Sequence, residues 1–321
     1  LFPYTTLFRS GPKVGIDVAV VDFGDRYLVA KTDPITFATN EIGYYAINVN
    51  ANDILTSGAY PSWFQTTILV PPGYTKDKLE EIFRDLCKAA KEISVEIIGG
   101  HTEITTSVTR PVVIGSMFSD IAKDKIILSG KGKPGDALVI TKGVAIEGIA
   151  LIALEKEEEL TKKGIKPEVI KKCKNYLHEP GISIFKEVKI IMESGIKPHS
   201  MHDPTEGGLN MGCFELAHVS NCGCVIDQRK IRLIDHCQEL CDIFGINPLR
   251  LITSGTLICA VDPKDAENLV NILEKNGVHA SIIGNLTELS EGFKMINLNG
   301  DKEDLEYGET DEILKIFKNE E

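Results

Sequence analysis

Strand-like and helix-like signals alternate from Gly15 to Ser119, and that alternation restricts the chain to a mixed α/β fold. Residues 18–21 and 27–30 read as two strands joined by the turn Asp22-Phe23-Gly24-Asp25. Residues 42–55 read as a helix with small residues at close spacing, and 63–70 as a strand ended by Pro71-Pro72-Gly73. Residues 76–93 form an amphipathic helix, because Leu79, Ile82, Phe83, Leu86, Ala90 and Ile93 recur three and four apart. Residues 95–98 and 112–117 are two further strands, and Trp63 is expected in the core.

Small acidic and amide groups fall at the ends of these apolar segments: Asp17, Thr32-Asp33, Asn52-Asp53, and the run Gly99-Gly100-His101-Thr102-Glu103. Hard cations such as Mg²⁺ take oxygen ligands of this kind, one or two carboxylates plus phosphate oxygens. The pattern therefore points to a site that handles nucleotide phosphates. Each residue also has a plainer reading. Asp53 could bond within a helix turn, Asp33 before Pro34 could be a turn residue, and His101 could be a satisfied loop histidine.

The chain has 321 residues, enough for one large domain or two of medium size. A net charge of -12 argues against a nucleic-acid surface, although a bound cation can still recruit an anion such as ATP. No apolar run is long enough for a membrane span, so no membrane partner is expected. Eight cysteines lie mostly among apolar neighbours, as in a reduced cytoplasmic protein. The spacings of Cys222/Cys224 and Cys237/Cys241 do not match the usual zinc knuckle, which leaves core cysteines as the main reading and structural zinc as the alternative. Residues 1–10, LFPYTTLFRS, run into a glycine-led segment without strand or helix logic. They resemble translated adapter sequence and are expected to be foreign to the protein, with a native N-terminal segment missing.

A first domain is expected over residues 11–128 and a second over 129–321, divided at the loop SGKGKPG. That loop matches a dinucleotide pattern, Gly130-x-Gly132-x-x-Gly135, but it leads into the strand ALVIT rather than a helix, so it reads as a turn. Residues 136–141 and 280–283 read as strands and 146–155 as a helix. Asp262-Pro263-Lys264-Asp265 caps a helix that stops at Asn276-Gly277. His202-Asp203-Pro204-Thr205-Glu206-Gly207-Gly208 precedes a helical run over 210–219, and two glycines at a helix start let backbone N–H groups approach a phosphate.

In order, the segments GIDVAVV, KTDPITF, NANDILTSGAYP, IIGGHTEIT, KPGDALVITKG, DPTEGGL and LITSGTLICAV resemble the AIR synthase (PurM-like) superfamily over residues 11 to about 290. The pattern looks most like its AIR synthase-related, HypE-like branch. That resemblance implies a two-domain α/β (α+β) architecture in which the N-terminal mixed sheets of two subunits join into a dimeric barrel. It also implies ATP-dependent phosphorylation or ligase-type chemistry on a small-molecule substrate, with Mg²⁺ bridging the phosphates. Asp17, Asp33 and Asp53 would be the metal carboxylates, and Asn52 an accessory polar group. Gly99 and Gly100 would allow close backbone approach, and Thr205, Gly207 and Gly208 would face the phosphate or substrate. His101 and Glu103 are the catalytic candidates.

The chain departs from the superfamily's pattern in places. Ile16 stands where kinase and HypE members carry the first acid of GDDAAV, and His101 stands at the acid of GGDT, with Glu103 two residues on. HypE ends in a cysteine-bearing tail that receives a carbamoyl group, whereas this sequence ends KIFKNEE, with Cys259 its last cysteine. The alternative reading is therefore a nucleotide-binding regulatory protein, or a hydrogenase-maturation partner without turnover of its own.

Overall fold

The computed structural model describes residues 8–11, 13–308 and 310–317. The chain divides into two compact units. One holds Asp17–Ile126 with the chain ahead of Lys13, and the other holds Ile127–Glu321 with the short stretch Lys13–Ile16.

The first unit runs β1 (Phe8–Ser10), β2 (Ala19–Phe23), β3 (Arg26–Ile35), α1 (Ile42–Thr56), β4 (Trp63–Val70), α2 (Lys76–Glu92), β5 (Glu96–Ile104) and β6 (Val112–Ala122). Its six strands lie in the order β1-β2-β3-β6-β4-β5, antiparallel except for the β4–β5 pair. Strand β6 alternates buried and half-buried residues along its whole length, the signature of a sheet with one covered face. Every residue of α1 is buried. Gly43 lets α2 come close, since a Cβ there would lie 2.5 Å from the Ile82 carbonyl oxygen. Polar side chains survive inside this helix by bonding back one turn: Asn48 Nδ2 donates to the Tyr44 carbonyl at 3.0 Å, and Asn50 Nδ2 to that of Ala46 at 2.9 Å.

Four details differ from the sequence reading of this unit. Strand β5 runs on to Ile104, so Gly99, Gly100, His101 and Glu103 sit in a strand rather than a loop. Gly100 makes this extension possible, because a Cβ there would lie 2.3 Å from the Thr66 carbonyl oxygen of β4. Trp63 is not core but 38% exposed, since the period-two alternation of β4 turns it and Gln65 to the open face. Phe83 is likewise outside the buried stripe of α2, which consists of Ile82, Leu86, Ala89 and Ala90. Of the N-terminal ten residues, Phe8–Ser10 pairs antiparallel with β2 and Arg9 bonds Asp22 at 2.9 Å, while residues 1–7 lie outside the described residues.

The second unit begins with β7 (Ala137–Thr141) and the helices α3 (Ile146–Glu155), α4 (Glu157–Lys162), α5 (Pro167–Asn175) and α6 (Phe185–Ser194). It continues with β8 (Ser200–His202), α7 (Gly208–Val219), β9 (Gly223–Asp227), α8 (Cys237–Phe244), β10 (Ile258–Val261) and α9 (Pro263–Lys275). It closes with β11 (Ala280–Thr287), β12 (Phe293–Ile296), β13 (Lys302–Asp304) and α10 (Ile313–Phe317). The seven strands lie in the order β13-β12-β9-β11-β7-β10-β8. Leu209, Cys213 and Leu216 of α7 join Leu138, Ile226, Ile258 and Ile283 from the strands in one apolar core. Helix α9 starts as its sequence requires: Asp262 accepts from the Lys264 N–H at 3.1 Å and Pro263 occupies the first turn. Gly15 packs in this unit at φ +76, where a Cβ would lie 2.6 Å from the Glu215 carbonyl oxygen of α7. Among the described residues no helix is long and apolar enough to cross a membrane.

Candidate functional site

The first unit brings residues 31–33 and 50–53 together because α1 packs against β3 and β6. Asn50 fastens the contact, its Nδ2 donating to the Asp33 carbonyl at 3.3 Å as well as to that of Ala46. Gly115 lies opposite Asp33 in β6, and any side chain there would strike Asn50, with a Cβ 2.3 Å from its Nδ2. Thr32 Oγ1 donates to the Gly115 carbonyl at 2.6 Å, and Ser116 Oγ donates to Thr32 Oγ1 at 3.3 Å.

Strand periodicity places Lys31 on the same side of β3 as Asp33. The Lys31 ammonium stands 3.3 Å from Asp33 Oδ2 and 3.1 Å from Asp53 Oδ1. Asp53 is only 6% exposed. Burial pushes its carboxyl up to about 8; Lys31 opposes that shift, and the nearby charges of Asp17 and Asp33 add to it. Two carboxylates thus share one ammonium in a partly desolvated place, and the charge of Asp17 acts on Asp53 from nearby. A proton on Asp53 or a bound cation relieves that repulsion.

Oxygen donors of this type suit Mg²⁺. Asp17, Asp33 and Asp53 do not bring three oxygens within 4.8 Å of one another among the described residues. One or two carboxylates with phosphate oxygens completing the shell fits the geometry. Asn52 is wholly buried on the same helix. Asp33 is not a turn residue, since β3 continues through it and pairs with β6 as far as Ile35. Lys31, Asn50 and Ser116 were not singled out from the sequence. The i, i+2 spacing of Lys31 and Asp33 was the available signal for the first.

The sheet register places Gly100, Thr66, Gly115 and Asp33 in one row across β5, β4, β6 and β3. Three strand spacings separate the ends of that row, about 14 Å. His101 and Glu103 therefore do not adjoin Asp33 of their own chain. Both lie exposed on the edge strand, their side chains 3.8 Å apart.

In the second unit Gly207 and Gly208 turn the chain into α7 at φ +76 and +65. Gly208 is required by packing, because a Cβ would lie 2.7 Å from the carbonyl oxygens of both Leu249 and Leu251. The Gly207 N–H does not wait for a phosphate: it donates to Asp311 Oδ2 at 2.6 Å, and Asp311 Oδ1 accepts from the Ile313 N–H at 2.8 Å. Burial pushes the Asp311 carboxyl up to about 6, against the pull of these N–H groups. Thr205 is half-buried, its carbonyl accepting from the Gly208 N–H at 3.1 Å. Glu147, in the first turn of α3, is buried and accepts from the Ser254 N–H at 3.3 Å; burial pushes it up to about 7.

The cysteines are all free, and seven of them are buried, Cys87 alone being exposed. Cys222 and Cys224 belong to the apolar core, and Cys237 and Cys241 sit one helical turn apart with sulfurs 4.0 Å from each other. Among the described residues these four do not form a metal-binding group.

The chain is 30% identical over 283 residues to a putative hydrogenase expression/formation protein of Methanocaldococcus jannaschii, spanning 86% of this chain and 81% of that one. The fold superposes on a HypE–HypF complex with a TM-score of 0.75 at 22% identity, covering 92% of this chain and 94% of that one. It also superposes on the hydrogenase maturation protein HypE in complex with ATP, with a TM-score of 0.74 at 23% identity, covering 89% and 87%. Residues 15–119 match the AIR synthase related protein N-terminal domain and residues 133–295 the corresponding C-terminal domain, so the two-sheet α/β architecture and the ordered motifs have one source: the chain belongs to the AIR synthase related family.

Proposed function

We propose that this protein binds Mg-ATP at the Lys31–Asp33–Asp53 cluster and transfers the γ-phosphoryl group to an oxygen of a small substrate. The observation that carries this reading is the buried Asp53, its carboxyl raised to about 8 beside Asp33 and 3.1 Å from the Lys31 ammonium. Mg-ATP supplies the transferable phosphoryl group. Asp53, in its deprotonated form, and Asp33 would hold the cation. Lys31 stays within reach of the polyphosphate as a mobile positive charge, and the buried helix α1 keeps water from the rear of the site. Asp17 adds negative potential, as its effect on Asp53 indicates.

We propose further that the protein works in the cytoplasm as a homodimer docked through the open sheet face and β5. All nine residues of β5 are exposed, Ile97, Ile98 and Ile104 among them, and an exposed apolar edge invites pairing. In such a dimer His101 and Glu103 lie at the subunit boundary, and any catalytic part they play is played there. The resemblance to hydrogenase expression/formation proteins and to a HypE–HypF complex supports a second reading, in which the substrate is presented by a maturation partner rather than free.

Calorimetry with Mg-ATP tests the common core of both readings. Saturable, Mg²⁺-dependent binding that is lost in Asp53→Asn is the expected result, and equal affinity in that variant removes the cluster from the site. ADP release with free small molecules, against release only when a partner protein is added, separates the two readings.

A further inference from the structure

Helix α1 is buried along its whole length, yet it carries Asn48, Asn50 and Asn52. Asparagine is a poor residue for a helix interior, because its amide competes for backbone groups. Asn48 and Asn50 each donate to the carbonyl one turn back, but Asn50 Nδ2 also donates across to the Asp33 carbonyl of β3 at 3.3 Å. Two carbonyls face the same end of this amide, which fixes that end as the nitrogen. The other end, Oδ1, is buried without a hydrogen-bond partner among the described residues. A buried acceptor left unmatched lowers stability, and alanine or leucine would form helix better at this position. Stability therefore does not account for Asn50.

The position of the amide shows what does. Asn50 and Asp53 are three positions apart and so share one face of α1. The bond to the Asp33 carbonyl ties the main chain under one carboxylate of the cluster to the helix face that carries the other. Gly115, opposite Asp33 in β6, leaves the amide its room, since a Cβ there would lie 2.3 Å from Asn50 Nδ2 and 2.8 Å from its Cγ. The two carboxylates are thereby held at one spacing, both within ion-pair reach of the Lys31 ammonium.

We propose that Asn50 is a positioning residue that sets which cation fits between Asp33 and Asp53, favouring Mg²⁺ over Ca²⁺. The inference rests on the reading of this cluster as the Mg-ATP site. Mg²⁺ demands oxygens at about 2.0–2.1 Å in near-octahedral geometry, whereas Ca²⁺ takes them at about 2.3–2.6 Å in a looser shell. Carboxylates held at a fixed spacing suit the first ion, and carboxylates free to spread admit the second. Asn50 supplies no ligand; it acts through the main chain at Asp33 and through α1.

The test titrates the full chain with ATP by calorimetry, once in Mg²⁺ and once in Ca²⁺. The native chain should bind more tightly in Mg²⁺. Asn50→Leu keeps the branching at Cγ without the donor, and Asn50→Ala removes the amide altogether. Both should weaken Mg-ATP binding by about tenfold or more while Ca-ATP binding changes little, so that the preference is lost. Gly115→Ala keeps the donor but crowds it away from Asp33, and should reduce the preference as well. The melting temperature of the metal-free Asn50→Leu chain should equal or exceed the native value, because the unmatched oxygen is gone. If leucine overfills the site and the variant fails to fold, as circular dichroism would reveal, Asn50→Ala and Gly115→Ala decide the matter. Equal losses in Mg²⁺ and Ca²⁺ would make Asn50 a structural residue and overturn the proposal. A native preference in both Asn50 variants, with Mg-ATP binding abolished in Asp53→Asn, would overturn this inference alone. Undiminished Mg-ATP binding in Asp53→Asn would overturn the reading of the cluster and this inference with it.

Discussion

Two places in this molecule carry the residues expected to meet a phosphate, and their electrostatics are opposite. Around Lys31 two carboxylates share one ammonium, and the buried Asp53 carboxyl is raised to about 8. At the Gly207-Gly208 turn the free N–H of the helix start already holds a carboxylate, that of Asp311. A helix N-terminus is a ready anion site, but the chain can fill such a site itself. The first place holds a buried carboxyl raised to about 8, whereas at the second the chain itself occupies the Gly207 N–H.

The largest effect that can break this comparison is Asp53→Asn. It removes the buried carboxylate that would face the cation, so Mg-ATP affinity should fall by about a hundredfold or more, read by calorimetry. If Asp311→Asn produced a similar loss while Asp53→Asn did not, the roles of the two places would be reversed.

Next in size is the stability of the second unit. Asp311→Ala leaves two buried N–H groups without their acceptor, a loss of about 1–3 kcal/mol. The melting temperature should drop by a few degrees, and added sulfate should recover part of it in the variant but not in the native protein. Recovery of equal size in both would show that the helix start is open to outside anions.

The pH dependence gives a third test. Asp53 near 8, Glu147 near 7 and Asp311 near 6 all titrate above the range of an unfolded chain. The folded state therefore keeps protons that the unfolded chain has released. Stability is fully present below about pH 4 and declines as pH rises toward about 8. Mg²⁺ with ATP should flatten the last part of that decline, and Asp53→Asn should flatten it without any ligand. A melting temperature that rises steadily from pH 5 to 8, roughly the span between unfolded and folded carboxyl values here, would contradict these assignments.

The smallest expected effect belongs to Lys31→Met. Without its competing ammonium the cluster should take Mg²⁺ alone a few-fold more tightly, while Mg-ATP affinity changes little. A fall in Mg²⁺ affinity would mean that Lys31 helps to assemble the carboxylates rather than competing for them.

The features legible in the sequence were those written locally. The helix over Ile146–Glu155 and the capped start at Asp262-Pro263 follow from periodicity and from side chains within one turn, and the structure has both. The dinucleotide pattern at Gly130 leads into a strand, β7, and not into the helix that such a fingerprint must open. Carboxylates near α1 were visible because acids are rare in an apolar helix. Lys31 was missed because a lysine in a strand looks solvated until the fold brings Asp53 to it. Asp311 was invisible because it reaches Gly207 across 104 positions of chain. Gly100 also answers to packing that the sequence does not show, since a Cβ there would lie 2.3 Å from the Thr66 carbonyl oxygen of the neighbouring strand. In each of these cases the deciding partner is distant in sequence, where periodicity and spacing carry no information.

The stretch Lys13–Ile16 belongs to the second unit, with Gly15 set against Glu215 two hundred positions later. During synthesis that stretch emerges early and has no surface to settle on. At about 5–20 residues per second it must wait roughly 10–40 seconds for α7 to leave the ribosome. The first unit is complete in sequence long before then, so the two units are not independent in time. The second is finished by a piece of chain made before the first, and a nascent chain stalled after residue 126 would carry that piece as an unclaimed end.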